Sequence, residues 1–518
     1  MIDDAIYWTA VSTALILAAL ITGTWRVVRR RQSPAGACTS PSRQWWTTAQ
    51  TIWAEEIRPR EQHKMQLIVG ITGMFVSLSL GYVYAQSSFV VGWQLWTWLV
   101  TIVVLVAALL PISYRPRIKV ALWHWPLAIT VVALTLRILF LDTVPGGLHV
   151  DEMGVAGFTA LHVFPPGELT INPFHTGAAS QPALYHYLIR LSFLVFGYSI
   201  AGLRISSVIV GTLAVLATFV VVTVFANRRT ALLTAVLITT YHYHIHWSRL
   251  GLNNIWDTLW VPLILAFWAW GYRKNWSGGA VLSGLALGFS QYFYSGNKIS
   301  FFLLPVVLWL LYREVPDQRR MLVHVGKMMV TAVTVAAPIA LFALIQPDIF
   351  FDRSRVVFGW QSDAIMAAVG DYQLVDYLWQ QIWRNFGAFT TVPEITGFYG
   401  PGVPFLIGIA APLFLTGFIW SIWTRQWVPV LWVLLTVFFG GILLTGAPSS
   451  SHYVVSIPAI CWLTAVPLNW LWENGRWRLA LFLLAAIMIT DLVFYFGIYV
   501  PGEPRDLFNQ IPAWPFRQ

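Results

Sequence analysis

The sequence predicts an all-α polytopic membrane protein of about fourteen spans, and three observations carry that prediction. Of 518 residues, 57% are hydrophobic and only 10% charged, and the mean hydropathy is +0.66. That leaves too little polar surface to cover a soluble globule. Apolar runs long enough to cross a hydrocarbon core as helices recur from end to end. Lysine and arginine gather in alternate connections, the pattern of a chain whose inner loops hold the positive charge.

The elements follow in order. A run at 6–25 comes after Asp3 and Asp4 and before "RVVRRRQ", which reads as an uncleaved anchor followed by stop-transfer charge. The serine, proline and glycine of "RQSPAGACTSPSRQ" suggest a flexible basic linker. Runs at 66–84 and 94–113 complete an added three-span anchor with its cytoplasmic linker, residues 1–118. The body, 119–518, has runs at 121–141, 202–225, 230–246, 255–271, 277–293, 300–312, 325–345, 403–423, 427–445, 454–471 and 479–497.

With Met1 outside, 22 of the 32 basic residues fall in inner segments. The net charge of +10 is then a consequence of topology, and nucleic acid is excluded as a partner. The same arrangement places on the outer face "GGLHVDEMGV" (146–155), "HWSRLGLNNIWD", "YFYSGNK", the 346–402 loop and "SSSHYVV". Polar motifs that converge on one face predict a single site at the outer membrane surface. The two cysteines, Cys38 and Cys461, supply neither a disulfide framework nor a zinc spacing.

The order "LHVDEMG", "SQPALYHYLIRLSFLVFGYSIAGLRISSVIVG", "HIHWSRLGLNNIWD", "YFYSGNK", "SHYVVSIPA" resembles the membrane glycosyltransferases of the GT-C fold, in particular the glycosyltransferase family 39 group. That group is related to protein O-mannosyltransferases and aminoarabinose transferases. The resemblance covers about residues 120–475. It implies a GT-C-type transmembrane helix bundle with outer-face juxtamembrane helices. It also implies inverting transfer of a sugar from a polyprenyl-phosphate donor to a hydroxyl of a glycan, lipid or protein acceptor. The expected setting is a bacterial plasma membrane with the active face extracytoplasmic.

Each part of that chemistry suggests residues. An acceptor hydroxyl must lose a proton as it attacks, so Asp151 is the candidate base. Glu152 would orient the acceptor, hold a divalent cation or share the load. The leaving phosphate calls for fixed positive charge, and Arg249 and Lys298 stand at outer helix ends, although snorkelling also explains them. The aminoarabinose branch carries a lysine before its proline pair where this chain has Gln181, which can donate a hydrogen bond but no charge. Asn253, Asn254 and Asp257 suit sugar hydroxyls or helix caps, while His452 and Tyr453 either contact the donor or begin a span. "YHYHIHW" suggests metal less than interfacial anchoring, and the tryptophans read mostly as belt residues. Two other classes are a transporter or lipid-linked-sugar flippase, and a noncatalytic fold that binds lipid-linked sugar; the lack of inverted halves argues against the first.

Overall fold

A computed structural model of the protein describes residues 58–86, 92–111, 123–146, 148–149, 151–161, 163, 172–176, 181–357, 374–394, 396, 398–444 and 448–502. The expected first span and basic linker lie outside these residues. Sixteen main helices run in the order α1 Arg58–Gln86, α2 Gly92–Leu109, α3 His124–Ile138, α4 Leu184–Phe196, α5 Ile200–Phe225, α6 Arg228–Thr240, α7 His242–Ser248, α8 Asp257–Arg273, α9 Ser277–Ser290, α10 Ser300–Glu314, α11 Gln318–Ile345, α12 Leu374–Gly387, α13 Ala410–Trp423, α14 Trp427–Val437, α15 Ile457–Glu473 and α16 Trp477–Leu492. No strand occurs among the described residues.

Every expected run from 66 onward carries helix, but among the described residues only six helices are long and apolar enough to span: Lys64–Gln86, Ile200–Phe225, Ser295–Glu314, Gln318–Ile345, Ser450–Glu473 and Trp477–Gly502. Counting each of two bent pairs as one span raises the figure to eight, so the described residues do not reach about fourteen. The physical reason is that runs break. The 230–246 run divides at Tyr241 into α6 and α7, and α7 meets the helical stretch Asn253–Arg273 at 117°. α2, α3, α4 and α9 are apolar but shorter.

Helix starts and breaks follow from local chemistry. Ser199, Asn227 and Asp317 cap α5, α6 and α11 by accepting from amides three residues on. The break at Tyr241 leaves carbonyls at the end of α6, and the buried Arg137 of α3 covers them, donating to Ile238 O at 3.1 Å and Thr239 O at 3.2 Å. Pro338 inside α11 has no amide to give to Thr334 O; Ser77 Oγ of α1 donates to it instead at 2.5 Å. The next carbonyl, Val335 O, takes Trp98 Nε1 and Tyr292 Oη. Through these bonds α1 and α2 pack against α11.

Small residues set the closest helix approaches. A Cβ at Gly288 of α9 would stand 2.5 Å from Val335 Cβ of α11. Large apolar side chains face outward along α10, α11 and α16, including Phe302, Leu344, Phe482 and Ile489, as on a lipid-facing surface. Tryptophans do both jobs: Trp309, Trp423 and Trp477 are exposed, whereas Trp98, Trp247, Trp268, Trp432 and Trp462 are fully buried in the core.

The molecule has two unlike ends. At one, Arg273 pairs with Glu314 at 2.8 Å, Arg229 lies 3.8 Å from Glu473, and Tyr272 Oη donates to Val315 O. These are the basic connections between α5 and α6, α8 and α9, α10 and α11, and α15 and α16. At the other end the α7–α8 break meets the segments 145–152, 292–298, 394–406 and 449–453.

Candidate active site

Asp151 and Glu152, adjacent in sequence, meet different surroundings. Asp151 precedes a short π-helical turn, Glu152–Phe158, and its amide donates to His149 Nδ1 at 3.0 Å. Its half-buried carboxylate is engaged by no hydrogen bond or ion pair among the described residues. Glu152 is fully buried, with Arg204 Nε 2.9 Å from Oε1 and Nη2 3.1 Å from Oε2. Gly251 N donates to Oε1 at 2.7 Å and His149 N to Oε2 at 3.1 Å. Arg204 reaches on to Leu141 O and Pro145 O. A buried charge persists only when paired and hydrogen-bonded, and here the pair ties α5, the α7–α8 break and the 141–152 segment together.

The stretch 251–257 continues from this clamp. Gly251 must lack a side chain, since a Cβ would stand 2.7 Å from Leu203 Cγ. Asn253 Nδ2 donates to Gln181 Oε1 at 3.1 Å, and Asn254 Nδ2 to Ser451 O at 3.1 Å. Asp257, buried at the first position of α8, accepts from Asn297 Nδ2 at 3.4 Å. His452 Nδ1 lies 3.0 Å from Tyr294 Oη. Lys298 sits over the Phe350 ring at 5.4 Å, close enough to Asp257 for their charges to interact. The Arg353 charge acts on both Tyr294 and His452.

Eight of the ten expected residues thus border this end, in two groups joined through 251–254. One group holds Asp151 and Glu152; the other holds Lys298, Asp257, Asn254 and His452 around Tyr294, with Asn253 and Gln181 between them. Tyr453 turns into the core, donating to Asn385 Oδ1 of α12 at 2.7 Å. Arg249, expected as a phosphate ligand, is taken up by backbone carbonyls. Its guanidinium donates to Leu136 O at 2.8 Å, Leu139 O at 2.5 Å and Val144 O at 3.1 Å, closing the end of α3. Orphaned helix carbonyls satisfy it better than snorkelling would.

Three residues had not been singled out from the sequence. Arg204 carried a signal: a cation inside an apolar run needs an acid, and the preceding outer segment offers few. Tyr294 lay inside a quoted motif. Glu394, in "TTVPEITGFYGPG", carried none, yet it is buried beside Ser450, with Oε1 accepting from Thr396 N at 2.8 Å. Burial pushes its carboxyl up to about 7, against the opposing effect of hydrogen bonds from Thr396 and Ser450.

Among the described residues no group of three His, Cys, Asp or Glu is arranged to hold a metal ion. The histidines of α7 have other partners: His242 Nδ1 lies 2.6 Å from Tyr399 Oη, His244 Nδ1 2.6 Å from Arg137 Nη2, and His246 Nε2 2.9 Å from Phe398 O.

Comparison with known proteins adds a relation. No curated protein matches the sequence. Among solved structures the chain is similar to an Archaeoglobus fulgidus oligosaccharyltransferase in the apo form, at 14% identity and TM-score 0.44, over 73% of this chain and 55% of that one. It is similar to ArnT from Cupriavidus metallidurans bound to undecaprenyl phosphate, at 15% identity and TM-score 0.43, over 75% of this chain and 68% of that one. A third is the arabinosyltransferase EmbB from Mycobacterium smegmatis, at 13% identity and TM-score 0.42, over 73% of this chain and 34% of that one. The chain spans about half the length of the oligosaccharyltransferase it matches. Residues 180–344, about a third of the sequence, match the family model described as dolichyl-phosphate-mannose-protein mannosyltransferase. Through that segment, which lies inside the stretch 120–475 carrying the sequence resemblance, the chain is similar to the protein mannosyltransferase group.

Proposed function

We propose that the protein transfers a sugar from a polyprenyl-phosphate donor to an acceptor hydroxyl at the outer face of a membrane, with Asp151 as the base. The observation that carries this reading is the contrast between two neighbouring carboxylates. Glu152 is consumed by Arg204, Gly251 and His149, whereas the Asp151 carboxylate has no such partner among the described residues, on a segment anchored through this clamp. A base needs that combination of a fixed backbone and an available lone pair.

The step is a single displacement. The acceptor oxygen bonds to the anomeric carbon from the face opposite the phosphate, its proton passes to Asp151 Oδ, and the bond to the phosphate oxygen breaks with its electron pair. The product is inverted at the anomeric carbon. The leaving phosphate takes up negative charge, for which Lys298 and Arg353 provide cations on the far side of the 251–254 stretch. Arg249 has no part in it. Asn253, Gln181 and Asn254 present amides suited to sugar hydroxyls, and Glu152 acts by holding Asp151 in place. Support comes from the family match, whose description names a mannose carried on dolichyl phosphate.

The test is release of polyprenyl phosphate by purified protein in lipid, from a panel of polyprenyl-phosphate monosaccharides offered with simple alcohol and glycan acceptors. Release that depends on both donor and acceptor supports the reading. Donor binding with no acceptor-dependent release across the panel counts against it.

A further inference from the structure

The 394–403 turn touches both groups of the candidate site. Reciprocal backbone hydrogen bonds close its base, Glu394 N to Val403 O at 2.9 Å and Gly402 N to Glu394 O at 3.1 Å. On one side Phe398 stacks on His149 with ring centroids 4.5 Å apart, and His149 Nδ1 accepts the Asp151 amide. On the other side Thr396 Oγ1 lies 3.3 Å from Ser450 Oγ, two residues before His452. His246 and His242 of α7 seat the remainder through Phe398 O and Tyr399 Oη.

At the base of this turn is a buried acid whose two oxygens are unequally served. Glu394 is 2% exposed; its Oε1 accepts from the Thr396 amide and hydroxyl, while the buried Oε2 has no hydrogen-bond partner among the described residues. A buried carboxylate oxygen without a donor is costly when charged. The neutral acid costs less, because burial penalises the charge by more than the hydrogen bonds from Thr396 and Ser450 favour it.

We propose that Glu394 is a positioning residue for Asp151: its neutral form holds the 394–403 turn closed on His149, and its ionisation loosens that turn. The link to Asp151 rests on the function proposed above, whereas closure of the turn is measurable without substrate. The direction follows from burial, which pushes the carboxyl from 4.5 up to about 7 in the closed turn. An opened turn returns it to the ordinary range. The closed turn is therefore favoured fully below about pH 4.5, loses that preference as pH rises to about 7, and regains none above it. Tyr243 of α7 and Tyr453 are the titratable groups facing Glu394, while His149, His242 and His246 face other parts of the turn.

Hydrogen exchange on the full-length, ligand-free protein in lipid nanodiscs, from about pH 4 to about pH 8, reads the latch. After correction for intrinsic rates, protection of the 394–406 amides should fall by up to the order of 100-fold in wild type. It should stay level in Glu394→Gln, with α15 protected in both. Thr396→Val keeps the acid but removes a donor to its charged form, so the fall should extend to higher pH. An undiminished fall in Glu394→Gln would assign the response to a histidine and overturn the proposal, as would a flat wild-type profile. Wild-type turnover in Asp151→Asn would break the link to Asp151 while leaving the exchange result as a report on the turn alone.

Discussion

At the residue scale, the Glu152–Arg204 pair is the strongest single commitment in the molecule. Both groups are fully buried, at 2.9 Å, and each also serves backbone partners, so removing one leaves an uncompensated charge. Arg204→Met and Glu152→Gln should each destabilise by about 3–5 kcal/mol, and the double variant by clearly less than their sum, as thermal unfolding in a fixed detergent would show. Additive losses would mean that the two do not act as a pair. The sequence made Asp151 and Glu152 conspicuous, but nothing in an adjacent pair says which carboxylate a distant arginine will take. That choice depends on Arg204 and Gly251, 52 and 99 residues away from Glu152. For the same reason Arg249 looked available, since the Leu136 and Leu139 carbonyls that it closes become orphans only once α3 ends beside it.

At the scale of elements, the α7–α8 break organises the site. α7 is about two turns of helix, set at 117° to the stretch Asn253–Arg273, and the bend carries Gly251, Asn253 and Asn254 to their partners. Gly251 is where two backbones must approach, so Gly251→Ala would drive a Cβ into Leu203, which stands 2.7 Å away, and pull the amide from Glu152. We expect a loss of about 1–3 kcal/mol, with the α10 and α11 region unaffected in hydrogen exchange. Unchanged stability would show that the close approach is absent. Apolar periodicity found the helices in order, because long runs without charge leave little choice in lipid. It could not see the breaks. "LITTYHYHIHW" remains apolar and aromatic through Tyr241, and what turns the chain there is Arg137, which lies 101 residues before Ile238.

At the scale of the molecule, charge and polarity divide between two ends. Basic connections gather where Arg229, Arg273 and Glu314 meet, and the polar motifs gather around the α7–α8 break. In a background with Cys38 and Cys461 replaced, exposed Lys274→Cys and Ser295→Cys should label from opposite sides of sealed vesicles with an impermeant maleimide. Labelling of both from one side would contradict the proposed topology. That separation was legible because positive charge reports sidedness independently of structure. The candidate site was legible only as a list of motifs, and the division of roles within it came from hydrogen-bond partners that no local spacing encodes. The most direct test of the account compares wild type with Asp151→Asn for both donor binding and sugar transfer from polyprenyl-phosphate monosaccharides in lipid. The account predicts that binding persists while turnover falls by about 100-fold or more. Turnover at the wild-type rate in the variant would contradict it.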